Sequence, residues 1–207
     1  MVARQIAARG IVEPHLLAAM RAVPREAFVP AEMADLAYED GPLPIGAGQT
    51  ISQPYIVALM IEAAGVKPGD RVLEIGAGSG YAAAVMGGIA AEVIAIERHG
   101  ELAGQAAERL RRLGHANVEI VEGDGSAGWP ARAPYDAILA AASGRHVPPA
   151  LRDQLGVGGR LVMPLGAPGE AQELVRVECV GISEFRQDSL GAVRFVPLIG
   201  AAGWRED

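Results

Sequence analysis

Val72 to Gly80 reads VLEIGAGSG: an apolar run, then three glycines at alternate positions, with an alanine-rich stretch beyond. A strand that runs into glycines opening a helix lets a ligand sit against backbone at the strand's carboxyl end, where open α/β sheets bind. The dinucleotide fingerprint wants its third glycine one position later, and Tyr81 stands there instead. Glu97 ends a second apolar run about twenty residues on, the distance at which a carboxylate accepts from ribose hydroxyls. That suits an adenosyl group or an NAD ribose alike. Gly123-Asp124-Gly125 follows a third run. Asp-Gly alone is a turn signal; in a sheet of this kind the position borders an adenine ring, and Asp124 can accept from its amino group.

The second stretch with chemistry in it is Gly46 to Tyr55, GAGQTISQPY. No base is visible for Ser52, since His15, His99, His115 and His146 are scattered and Cys179 is the lone cysteine. Ser52 therefore reads as a hydrogen-bond donor that orients a substrate oxygen, not as a nucleophile. It also directly precedes a helix expected over residues 53–64, so a helix N-cap is its alternative role. No His/Cys group has metal-ligand spacing, and no metal is expected.

These residues need elements to hold them. Ile56, Leu59, Met60 and Ala63 share one face of the 53–64 helix, with Pro54 in its first turn and Gly65 at its end. An earlier helix opens at Glu13-Pro14, buries Leu16, Leu17, Met20 and Val23, and stops at Pro24. Residues 41–46 are rich in proline and glycine and read as irregular. From Lys67 the rhythm is strand, turn, helix. Strands are expected at 71–75, 92–96, 118–121, 135–140 and 160–163. The helices between them include one running to about Ala90, one carrying Leu102, Ala106, Leu110 and Leu113, and a short one at 148–155. This alternation predicts a doubly wound, mostly parallel sheet. Two further strands, 173–180 and 192–198, predict an antiparallel hairpin-like edge.

Composition removes several classes. The net charge is −7, from 18 basic and 25 acidic residues. Phosphate binding needs a basic stripe, and the densest basic cluster, Arg109, Arg111 and Arg112, reads as a solvated helix face. No nucleic-acid partner follows. The uncharged run from Ile75 to Ala91 contains five glycines, and no secretory signal pattern opens the chain. A cytoplasmic protein with no membrane partner is expected, as a single domain over 1–207 made of a helical and loop extension (1–52) and an α/β core (53–207).

From Pro42, PLPIGAGQTISQPYIVA resembles the signature of the protein-L-isoaspartate (D-aspartate) O-methyltransferase family. VPREAFVP, RVLEIGAGSGY, EGDG, YDAILAAA, PPALRDQLGVGGRLVMPLG and VRFVPLI extend the match in order along nearly the whole chain. The GxGxG spacing is likewise that of S-adenosylmethionine methyltransferases. The resemblance implies a seven-stranded Rossmann-like methyltransferase sheet. It implies methyl transfer from S-adenosylmethionine, leaving S-adenosylhomocysteine, to the free carboxylate of L-isoaspartyl residues; the ester then cyclises to a succinimide, which starts repair. It places Ser52 beside the methyl group and the substrate carboxylate. Cofactor contacts are implied for Thr50, Ile51, Ser52, Gln53, Glu74, Gly76, Ala77, Gly78, Ser79, Gly80, Glu97, Arg98, Gly123, Asp124 and Gly125. Substrate contacts are implied for Ile51, Pro54, Tyr55, Val193, Phe195 and Val196, and for the segment Arg194 to Leu198 as a whole. The partners are then isoaspartyl proteins and peptides, met by a monomer. The chain departs from the family at Ala47, where an aromatic or Gln is common, and over Ala140 to Gly144, which replaces a Thr- and Pro-containing stretch.

A carboxylate of pKa about 4 is already ionised at neutral pH and needs no general base. Three rivals share parts of the pattern: a methyltransferase with a small acid or phenol acceptor, a non-catalytic S-adenosylmethionine binder, and an NAD oxidoreductase. The dense match over residues 40–55 and the glycine spacing stand against them.

Overall fold

The computed structural model describes residues 1–205. A single π-helical turn (Val2–Ile6) and a 3-10 turn lead into helix α1 (Pro14–Ala22). Pro14 has no N–H to leave unsatisfied, and the Glu13 carboxylate caps the helix by accepting from Leu16 N at 2.6 Å. Two more 3-10 turns follow, Arg25–Phe28 and Ala31–Leu36.

The proline- and glycine-rich stretch expected to be irregular is a small antiparallel hairpin, β1 (Leu43–Gly46) and β2 (Gln49–Ile51). Its two-residue loop, Ala47-Gly48, has positive φ at both positions (49° and 69°). That is the pattern of a turn matched to strand twist, and strands of four and three residues are too short for periodicity to reveal. Helix α2 (Pro54–Ala64) begins directly after, ended by Gly65 in the left-handed conformation. Its N-cap is Gln53, which makes no side-chain capping bond. The capping alternative for Ser52 is thereby excluded.

The core then follows in order: β3 (Arg71–Ile75), α3 (Tyr81–Gly87), β4 (Glu92–Glu97), α4 (Gly100–Arg112), β5 (Val118–Glu122), β6 (Tyr135–Ala140), α5 (Pro149–Arg152), β7 (Leu155–Leu165), β8 (Gln172–Gly181) and β9 (Glu184–Val193). The sheet order is β5-β4-β3-β6-β7-β8-β9. The first five of these strands are parallel, β8 is antiparallel to β7, and β9 is antiparallel to β8. The outermost strand therefore runs with the parallel set, and the one reversed strand is its inner neighbour.

β3, β4 and β6 are buried along nearly their whole length because both faces of the sheet are covered. Val72, Val93, Ala137 and Val162 pack under α1 to α4, together with Ile6 and Phe28 from the N-terminal segment. Leu73, Ile94, Ile138 and Leu161 pack on the opposite face beneath Leu151, Trp129 and Phe185. Each such aliphatic side chain, removed from water, contributes about 1.5–3 kcal/mol.

Three boundaries differ from the sequence expectation. α3 stops at Gly87, not near Ala90. The helix expected over 148–155 shrinks to four residues, and β7 starts at Leu155. Gly156, Gly158 and Gly159 sit in a register shift between the pairs Tyr135↔Leu155 and Ala137↔Arg160, which absorbs the extra residues. The last strand is Glu184–Val193, not residues 192–198. As an exposed edge it has no buried face to print alternation in its sequence; β8 holds it through backbone pairing and the Arg176–Asp188 ion pair at 2.7 Å.

Candidate active site

The carboxyl ends of β3, β4 and β6 open into a cavity of about 750 Å³. Its floor is the glycine loop. Gly76 N and Ala77 N both donate to Ile96 O, at 2.8 and 3.0 Å, so the loop leaves β3 still pinned to β4. Gly78 has φ 54°, and a Cβ there would come within 3.1 Å of Ile45 Cδ1 on the hairpin. Only glycine fits this position without strain. Arg109 Nη1 donates to Ser79 O at 2.7 Å and its guanidinium lies 5.6 Å from the Phe28 ring. Arg109, expected on a solvated helix face, thus braces the loop from outside, while Arg111 pairs with Glu108 at the surface.

Two acids line the cavity differently. Glu97 is buried; its Oε2 accepts from Gly78 N at 2.8 Å and its Oε1 from His99 N at 2.9 Å. One carboxylate therefore ties the glycine loop to the end of β4 and keeps a second lone pair on each oxygen. Glu74 is almost fully buried, and its Oε2 has no hydrogen-bond partner. Burial, reinforced by the nearby Glu97 charge, pushes its carboxyl well above the usual range. A buried carboxyl oxygen left without a partner at a cavity wall can meet a cationic or N–H-bearing ligand.

One wall is the hairpin and the start of α2: Gln49 to Gln53, with Ile56 and Met60. The Ser52 hydroxyl has no hydrogen-bond partner among the described residues, while Ser52 O accepts from Arg25 Nη2 at 2.8 Å. Another wall is the segment from Val193 to Ile199, which beyond Val193 continues past β9 without forming a further strand. Ser143 holds it: Ser143 N donates to Val196 O at 2.8 Å, and Leu198 N to Ser143 O at 2.9 Å. Gln172 holds it again through Phe195. The Ala140–Gly144 stretch is thus both cavity lining (Ala141, Ala142) and the anchor of this wall.

Asp124 lies just outside, in an adjoining hollow with Arg98 and Trp204. Its oxygens accept from Ser126 N at 2.8 Å and Ala201 N at 2.7 Å. Burial would raise this carboxyl, but the Ala201 N–H, the Ser126 hydroxyl and N–H, and the Arg98 charge together outweigh it and leave it below the ordinary aspartate value.

A model of the family described as protein-L-isoaspartate (D-aspartate) O-methyltransferase matches residues 1–203. The chain belongs to that family. It is accordingly an S-adenosylmethionine-dependent protein carboxyl methyltransferase of the isoaspartate-repair type. A protein-L-isoaspartate O-methyltransferase of Rhodopseudomonas palustris is 60% identical over 206 residues, which is 100% of this chain and 94% of that one. Another, from Protochlamydia amoebophila, is 51% identical over 99% of this chain and 98% of its own. Among solved structures, a protein-L-isoaspartate O-methyltransferase superposes with a TM-score of 0.85 at 31% identity, over 95% of this chain and 64% of that longer one. A Plasmodium falciparum structure, described as a putative enzyme of this type in complex with S-adenosyl-L-homocysteine, gives 0.82 at 26% identity over 96% of each chain.

Most residues the family resemblance points to meet at this cavity. Thr50 to Gln53, Glu74, Gly76 to Ser79, Glu97, Arg98, Gly123, Gly125, Val193, Phe195 and Val196 all line it. Four do not. Gly80 is the N-cap of α3, with its Cβ position facing Ala106. Asp124 is turned to the chain's last described residues. Pro54 is buried in the first turn of α2, and Tyr55 lies under the Arg9 guanidinium, 3.4 Å from its ring centroid. Sequence reasoning missed Ile56, Met60, Tyr81, His99, Ala141 and Ala142 as lining. Ile56 and Met60 were legible only as one helix stripe, and a stripe does not say whether it meets core or cavity.

Proposed function

We propose that this chain methylates the free carboxylate of L-isoaspartyl residues with Ser52 as the group that orients the acceptor oxygen. The observation that carries this reading is Ser52 itself: a hydroxyl without a partner, on a wall fixed by α2 and Arg25, opposite the glycine loop. The residues present fit S-adenosylmethionine. Glu74 offers one unpartnered carboxyl oxygen suited to an ammonium, Glu97 two oxygens suited to ribose hydroxyls, and the glycine loop bare backbone between them. Bound there, the cofactor supplies an activated methyl on a sulfonium leaving group.

The chain's own part is then binding and alignment. The acceptor is ionised at neutral pH, so no residue need remove a proton from it. Val193 to Val196 take the substrate backbone at the cavity mouth, and Ser52 donates to one carboxylate oxygen so that the other faces the methyl carbon. Ile56, Met60 and Ala142 line the cavity with apolar surface, which suits a step that disperses opposite charges. Holding the reacting atoms near contact is the main source of acceleration in such a reaction. Asp124 acts on the cofactor only indirectly in this account, through the segment it anchors.

The test is Ser52→Ala. Losing one aligned donor lowers kcat by roughly a hundredfold, with the cofactor Kd from calorimetry essentially unchanged. Equal losses in both, or in neither, remove Ser52 from this role. We also propose that the enzyme works as one domain and as a monomer, in the cytoplasm, without nucleic-acid or membrane partners. Its acidic charge supports this, and no helix among the described residues is long and apolar enough to cross a membrane. Sedimentation at working concentration tests the monomer.

A further inference from the structure

Arg25 is fully buried, yet among the described residues no carboxylate pairs with it. Its guanidinium is spent on backbone and a ring. Nε donates to Ala37 O at 2.7 Å, Nη2 donates to Ser52 O at 2.8 Å, and the group lies 4.7 Å from the centroid of Tyr81. Nη1 and the Tyr81 hydroxyl are both buried; neither has another hydrogen-bond partner among the described residues, and the interaction between the two side chains partly offsets the burial of the guanidinium. An uncompensated cation in the interior is costly, and a neutral donor would suffice to staple one loop. Arginine does more here because its planar fork reaches several groups in fixed directions.

Those groups converge on the cavity. Ser52 is on one wall, Tyr81 is the first residue after the glycine loop and lines the cavity too, and Ala37 closes the 3-10 segment that precedes the hairpin. One rigid side chain thereby sets the distance between the acceptor wall and the cofactor floor. We propose that Arg25 is a positioning residue for methyl transfer, fixing the Ser52 backbone against Tyr81 so that the Ser52 hydroxyl is aimed at the acceptor carboxylate. This rests on the role given to Ser52 above. Lysine keeps the charge but cannot span both carbonyls and the ring, so Arg25→Lys displaces Ser52 without adding bulk.

The experiment is a double-mutant cycle on the full chain with Arg25→Lys, Ser52→Ala and the pair. It reads kcat and peptide KM by methyl release, and cofactor Kd by calorimetry. Arg25→Lys is expected to lower kcat roughly tenfold or more and to keep cofactor Kd within about threefold. In the Ser52→Ala background the same change is expected to cost no more than about a further twofold, because coupled residues are non-additive. Multiplicative losses, or wild-type turnover in Arg25→Lys, overturn the proposal while leaving Ser52 in place. Wild-type turnover in Ser52→Ala removes the Ser52 reading and the positioning role with it. Arg25→Gln is the second variant; if it and Arg25→Lys both abolish cofactor binding, Arg25 serves the fold as a whole and the proposal fails.

Discussion

Gln172 and Phe195 are hydrogen-bonded in both directions: Phe195 N donates to Gln172 Oε1 at 2.7 Å, and Gln172 Nε2 donates to Phe195 O at 3.0 Å. A buried side-chain amide thus does for one residue what a neighbouring strand would do, at the point where the chain has left β9 and become a cavity wall. The same Nε2 lies 3.0 Å from Ser143 Oγ, which links this wall to the stretch after β6.

Replacing Gln172 by Ala leaves two backbone groups of Phe195 without protein partners, at about 1–3 kcal/mol. Because the segment faces the peptide, the expected outcome is a peptide KM raised roughly tenfold with cofactor Kd little changed. Steady-state kinetics beside calorimetry distinguish this from a general loosening, in which both constants move together.

Gly78→Ala tests the floor. The residue is at φ 54° with Ile45 Cδ1 3.1 Å from the new methyl. Left-handed backbone costs a non-glycine residue about 1–2 kcal/mol, and relief requires the loop or the hairpin to move. Cofactor Kd should weaken by roughly tenfold while peptide KM changes less. Unchanged cofactor binding would detach the loop from the site.

Glu74 gives a pH signature. Its folded-state pKa is raised by burial and then by Glu97, so the folded protein holds that proton more tightly than the unfolded chain, whose value is about 4.3. The stability associated with it is full below that value and is lost as pH rises through the folded one. Glu74→Gln cannot ionise. Its melting temperature without cofactor should therefore exceed the wild-type value by a margin that widens as pH rises above about 4.3, while cofactor Kd weakens. Thermal scans across that range check it; a margin independent of pH contradicts it.

Asp124→Ala releases the end of the chain. Depression of the Asp124 pKa against the effect of burial traces to the Ala201 N–H, the Ser126 hydroxyl and N–H, and the Arg98 charge, so its contribution is present above about pH 3.9 and lost on acidification through the lower folded value. Hydrogen exchange of residues 199–204 should accelerate in the variant, and the Trp204 indole, which donates to Ser143 O at 2.8 Å, should become more exposed to a fluorescence quencher. Unchanged protection would show that the segment is held elsewhere.

The centre of the molecule was legible because its residues state their roles locally. β3 and β6 came out at their expected ends, since strands covered on both faces are mostly apolar, and VLEIGAGSG marks its own turn. The edges were not. β9 reads EFRQDSLGAV, with no fully buried residue, so its strand character comes mainly from β8. The apolar run after it looked like a strand and is a wall tied by Ser143 and Gln172. The roles of Arg25 and Arg109 were illegible for a related reason: each acts on a carbonyl at least 27 residues away, and no spacing records that.

The most direct test of the whole account is methyl transfer from radiolabelled S-adenosylmethionine to two synthetic peptides that differ only in one aspartyl linkage, normal or iso. Label is expected on the iso peptide alone, released as methanol by mild base. Equal labelling of both, or of neither while the cofactor is shown to bind, would contradict it.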